Sequence, residues 1–174
     1  MNRRLLLIIS IILAIMIGVN GCKKKNPEPE SLVLSQKDID LLITHKQTID
    51  KITGKYDVRI AKMKKGQAKE EMEKGKKEIN DYLISKGLSP VPFMRKSKKI
   101  LKGYLAFKES GEDALERKMK QHEHENFTEK EYQAKKEYYK KSQEALFNDL
   151  TSELSDYEIQ LIRSNLVNIS KVVK

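Results

Sequence analysis

"LSDYEIQLIRSNLVNISKVV", residues 154–173, carries both the start and the face of a helix. Ser155 is an N-cap residue and Glu158 stands three positions on, the spacing at which each side chain satisfies the other's free backbone N–H. Leu154 and Ile159 flank the pair as a hydrophobic staple, which sets the angle at which the chain enters the helix. Downstream, Ile159, Ile162, Leu166, Ile169, Val172 and Val173 recur at three- and four-residue steps, the period of one buried helical face.

The same device appears elsewhere. "LSQKDI" (34–39) pairs Ser35 with Asp38 between Leu34 and Ile39, and "FTEKEY" (127–132) pairs Thr128 with Glu131 between Phe127 and Tyr132. In "LSPVPF" (88–93), Ser89 caps and Pro90 takes the first helical position, where its missing N–H costs nothing. Helices are therefore predicted to begin at about residues 36, 90, 129 and 156. Their apolar stripes agree: Ile39, Leu42, Ile49, Ile52, Tyr56, Ile60 and Met63; then Ala68, Met72, Ile79, Tyr82 and Leu83. Further on come Phe93, Ser97, Ile100, Leu101, Tyr104 and Phe107, and then Tyr132, Tyr139, Gln143, Leu146, Phe147 and Leu150. Gly66 either divides residues 36–86 into two helices or is tolerated within one. Gly87 is a C-terminal stop. "ESGED" (109–113) interrupts, with Ser110 expected to restart a helix through Asp113. No stretch alternates as a strand does. Residues 34–53 overlie 154–173, with Leu34/Leu154, Ser35/Ser155, Ile39/Ile159 and Ile49/Ile169 matched. Duplication and convergence of capped helices both account for this.

Composition supports the helical reading. The 174 residues are 34% charged and 6% aromatic, with no Trp, eight Gly and four Pro. One Cys excludes an internal disulfide, so the fold must rest on its core. The net charge is +10.

Chemistry-bearing patterns are sparse. In "QHEHE" (121–125), His122 and His124 are two apart and diverge on a helix, whereas a helical zinc site wants i and i+4. No metal site is expected. His45, among polar neighbours, reads as a surface residue. No glycine-rich phosphate loop or catalytic triad is visible, so neither enzymatic activity nor a cofactor is expected. Glu70/Lys74, Glu73/Lys77, Glu116/Lys120, Glu131/Lys135 and Glu137/Lys141 have the i,i+4 lacing of exposed faces. Arg95, Lys98, Lys99 and Lys102 share one face of a predicted helix, with Lys96 beside the apolar stripe. Those four form a candidate site for an anionic surface; the alternative is a solvated face.

The N-terminus addresses location. Arg3 and Arg4 precede an apolar run, Leu5–Ile17, too short for the ~20 residues of a membrane-spanning helix. The only cysteine, Cys22, follows in "VNGC" (19–22), and "KKKNPEPESLV" (23–33) then reads as a tether. Val19, Gly21 and Cys22 resemble the lipobox of bacterial type II lipoprotein signals. Asn20 stands where Ala or Ser is usual, as in the looser lipoboxes of spirochaetes. The resemblance implies removal of 1–21, lipidation of Cys22 and a membrane-anchored chain. An uncleaved signal anchor, or an ordinary signal leaving a free thiol, are the competing readings. Lys23 rather than Asp after the cysteine points, by enterobacterial sorting, to the outer membrane rather than the inner. "YLISKGLSPVPFMRKSKKILKGY" (82–104) also resembles a pattern in small exported helical bacterial proteins of unknown function, and brings no site residues with it.

The expectation is therefore a signal peptide (1–21), a lipidated Cys22 with its tether (22–33), and an all-α domain (34–174) of about four to six amphipathic helices. Its expected role is non-enzymatic: binding an envelope protein or an anionic envelope or host polymer, not nucleic acid. The alternative is a small-ligand carrier with a closed apolar cavity lined by Tyr104, Phe107, Tyr139 and Phe147.

Overall fold

The computed structural model describes residues 32–63, 68–122 and 127–173. Among them there are seven helices and no strand: α1 (Gln36–Ile60), α2 (Ala68–Ser85), α3 (Pro90–Ser110), α4 (Glu112–Lys120), α5 (Glu129–Thr151), α6 (Asp156–Ser164) and α7 (Leu166–Ser170). The fold is all-α, and the four capped starts fall at 36, 90, 129 and 156. Residues 36–86 hold two helices, one of the two readings left open for that stretch, and the seventh helix arises because the last apolar stripe is divided at Asn165. Asn165 has φ −110° and ψ 8°, and its side-chain amide donates to the Leu161 carbonyl, so the last helix ends there and a short one restarts. Residues 34–53 and 154–173 thus share a capped start but not an outcome, since α1 runs unbroken for 25 residues.

The chain divides into two compact units, with the division between Lys98 and Lys99, inside α3. In the first, α1 and α2 run antiparallel. Ile49, Ile79, Leu83, Phe93 and Met94 form the core, and Leu41, Ile52, Tyr82 and Leu88 pack on it. Gly75 permits the close crossing: a Cβ there would stand 3.1 Å from Cγ of Tyr56. Polar straps hold the edges. Arg59 donates to Glu71 at 3.0 Å, and Lys55 and the Tyr56 hydroxyl both donate to Glu78, at 2.8 and 2.6 Å. Helix α2 stops at Gly87, whose φ of +71° is the left-handed conformation glycine adopts without strain. The Leu88 N–H returns to the Leu83 carbonyl and the Gly87 N–H to that of Ile84, both at orphan acceptors of the helix end.

The second unit is built on the buried Ile100, Tyr104, Ala106, Ala114, Met119, Ile162 and Ile169. Here α3 and α6 approach through Gly103, where a Cβ would lie 2.5 Å from Cδ1 of Ile162 and 3.1 Å from Cδ1 of Leu154. Phe107 and Phe147 meet edge to face at 5.3 Å. The interruption at 109–113 is real, but Ser110 does not restart the chain. Its hydroxyl is turned back to the Ala106 carbonyl, and Gly111 occupies the N-cap of α4. The buried Gln143 of α5 donates to the carbonyls of Glu109 and Gly111, at 3.0 and 3.4 Å, and so satisfies acceptors that the broken helix exposes.

Candidate functional site

Cys22 and its lipobox, the signal segment 1–21 and nearly all of the tether lie outside the described residues, as does His124. Among the described residues, no helix is long and apolar enough to cross a membrane, and no group of three or more His, Cys, Asp or Glu is placed to hold a metal ion.

The basic positions of α3 are committed unequally. Lys96 reaches both carboxylate oxygens of Asp38, at 3.1 and 3.2 Å. Lys99 donates at 2.7 Å to Glu158, whose side chain is only 4% exposed. Lys102 lies 3.4 Å from Glu153. Arg95 is exposed and Lys98 half-buried, and neither has an ion pair among the described residues. Asp38 and Glu158 are also the acidic members of the Ser35 and Ser155 capping boxes, where they accept from the cap N–H at 2.8 and 2.9 Å. Each box is thereby locked by a lysine of α3, Lys96 in the first unit and Lys99 in the second. Burial tends to raise the Asp38 pKa, but the hydrogen bonds from Ser35 and Lys96 outweigh it and hold the carboxyl below its ordinary value.

Two histidines are engaged within the fold, and one of them, His45, departs from its expected place. His45 is 9% exposed, not a surface residue: its ring packs edge-on to Tyr82 and Phe93, and Nδ1 lies 2.9 Å from the Tyr82 hydroxyl. Burial, with the charge of Lys86 added, pushes its pKa down. His122 stacks on Tyr139, with Nε2 2.8 Å from the Tyr139 hydroxyl and Nδ1 3.0 Å from Lys135 Nζ. An ammonium only donates, so Nδ1 is the acceptor there. Both ring nitrogens are thus engaged within the fold.

Of the expected charge ladder, Glu70/Lys74 and Glu116/Lys120 pair as the spacing predicts. Glu73 instead takes Lys76, Glu131 serves the Thr128 cap, and Lys135 turns to His122.

A groove of about 620 Å³ opens between α4 and α5, inside the second unit. Leu115, Met119, Tyr132 and Phe147 give it apolar walls. Glu112 and Glu116 stand on the α4 side, and Lys136, Lys140 and Glu144 on the α5 side. Glu116 pairs with Lys120, whereas Glu112, Lys136, Lys140 and Glu144 have no ion-pair partner among the described residues. The groove differs from the expected carrier cavity in lining and in form. Of the four predicted aromatics only Phe147 lines it, since Tyr139 is occupied by His122, Phe107 packs behind Phe147 and Tyr104 is buried. The stripe on α5 had signalled Tyr132, Gln143 and Phe147, but the facing acids come from a separate helix and no local pattern announces them. Comparisons with protein-family models, with curated proteins and with solved structures find no match for this chain.

Proposed function

We propose that this protein is a lipid-anchored, non-enzymatic component of a bacterial cell envelope, held through Cys22, that acts by binding a macromolecular partner, a protein or an anionic envelope or host polymer. The observation that carries the binding role is the α4–α5 groove, an open apolar channel on whose border Glu112, Lys136, Lys140 and Glu144 have no ion-pair partner among the described residues. Its openness and charged rim suit a macromolecular contact better than a carried apolar ligand. The anchoring role is supported by the layout of residues 1–22, and Lys23 favours the outer membrane over the inner. For an anionic polymer, Arg95 and Lys98 are the α3 cations most available, because Lys99 and Lys102 already hold Glu158 and Glu153.

Two measurements test this. Cells fed labelled palmitate should label the full chain and not its Cys22→Ser variant, which should also remain unprocessed; label retained in the variant would sink the anchor. The anionic-polymer arm predicts that non-lipidated 23–174 sediments with anionic vesicles or cell-wall polymer at low salt and is released as salt rises, since such attraction decays over a Debye length of ~8 Å at physiological ionic strength. Reversing Arg95 and Lys98 to Glu should abolish that sedimentation. Unchanged sedimentation would remove the stripe from the reading and leave the groove as the binding face.

A further inference from the structure

We propose that the α4–α5 groove is closed by α5 of a second copy of this chain, the two α5 helices lying antiparallel about a two-fold axis beside Lys140. This deepens the binding role proposed above by naming the partner, and it does not depend on the anchor.

Helix α5 is 23 residues long, and α4, its neighbour across the groove, has nine. At 1.5 Å per residue α5 spans about 34 Å and α4 about 14 Å, so much of α5 extends past its neighbour. Tyr132, Lys136, Lys140, Gln143, Glu144 and Phe147 form one continuous strip of it, at steps of three and four, and all six line the groove. Tyr132 is 39% exposed, an aromatic wall without full cover.

The strip is self-complementary when reversed. Lys136 and Glu144 lie four positions on either side of Lys140, so in an antiparallel pair the Lys136 of each copy faces the Glu144 of the other. Tyr132 and Phe147 fall at the two ends of the strip, and the reversal brings each toward the other's counterpart. The acids of α4 complete the match. Gln143 bonds to the Gly111 carbonyl, which sets Glu112 near the level of residues 143 and 144 and Glu116 about one turn closer to Lys140. Lys136 of the second copy therefore meets Glu112 as well as Glu144, and the two Lys140 side chains at the axis meet the two Glu116 carboxylates. Four charges that have no ion-pair partner within the described chain thus obtain one, and the same patch serves both copies, as an isologous interface requires.

The test uses the full chain in the membranes of expressing cells. Facing positions beside a two-fold axis between packed helices come within the Cα separation a disulfide needs. Lys140→Cys should therefore yield a disulfide-linked dimer on mild oxidation, and Ser142→Cys, exposed on the opposite face of α5, should not. Within the Lys140→Cys chain, adding Lys136→Glu should lower the dimer yield about tenfold, and adding Glu144→Lys to that variant should restore it. Equal yields at positions 140 and 142, no dimer at either, cross-linking of position 140 to a different protein, or a double swap that fails to restore the yield would each overturn the pairing. Retention of the uncross-linked chain in the membrane is scored in the same samples. It separates loss of the pairing from failure of the anchor.

Discussion

A methyl group at position 103 has nowhere to go. It would meet the Ile162 side chain at 2.5 Å and Leu154 at 3.1 Å, both within the second unit. Gly103→Ala gains helix propensity but must push apart two packed helices, and overpacking of that kind costs about 1–3 kcal/mol. It is expected to lower the melting temperature, whereas Gly54→Ala, with nothing within 4 Å, should raise it or leave it unchanged. A Gly103→Ala chain as stable as the parent would show that α3 and α6 do not close on each other there. His45 makes a different prediction. Its folded pKa lies below the ordinary 6.5, so its contribution to stability is present above pH 6.5 and is lost as pH falls toward the folded value, where the buried ring must take up a proton. Thermal melts at about pH 7.5 and 5.5 should show a drop for the parent that is reduced in His45→Gln. The Asp38 carboxyl, held low, loses its contribution only in the more acidic window below 3.8. Neither burial was legible locally. Polar neighbours surround His45 in the chain, and Tyr82 and Phe93, which enclose it, arrive from 37 and 48 positions away.

Helix starts were the most legible elements, because a capping box is complete within six residues. Ser35, Thr128 and Ser155 each sit where their neighbours at 38, 131 and 158 require. The ion pairs that lock two of these boxes were hidden, because Lys96 and Asp38 are 58 residues apart and Lys99 and Glu158 are 59. That difference in reach also commits Lys99 of the candidate stripe to a structural pair, while Arg95 and Lys98 have no ion pair among the described residues. The α6 start therefore depends on three residues at once. Ser155→Ala should cost about 0.5–2 kcal/mol, the usual range for a lost cap. Lys99→Met should cost about 1.5–3 kcal/mol, since it takes the lysine away from a carboxylate that is nearly inaccessible to water. Combining Lys99→Met with Glu158→Gln should recover part of that loss, because the amide keeps an acceptor for the Ser155 N–H without a charge to bury. Strictly additive effects in denaturant melts would show that the pair is not coupled.

At the scale of the molecule, the all-α class followed from stripes and composition, while the division into two units did not. It falls within an uninterrupted α3, between Lys98 and Lys99, and neither a glycine nor a proline stands at that point. The units do, however, carry internal clocks. Lys46 in the first has a side chain 7% exposed and held by Asp50, and Lys99 in the second is 17% exposed and held by Glu158. An amine bound in this way should acylate slowly, and only when its surroundings come apart. In a mixture treated with an acylating reagent and read by peptide mass, Lys46 and Lys99 should lag behind the exposed Lys37 and Lys141. Comparing the two lagging rates then reports how the molecule breathes: matched rates mean the units open together, unmatched rates mean one yields first. A lysine-rich chain, unhelpful as a clue to activity, is in this respect already fitted with its own reporters.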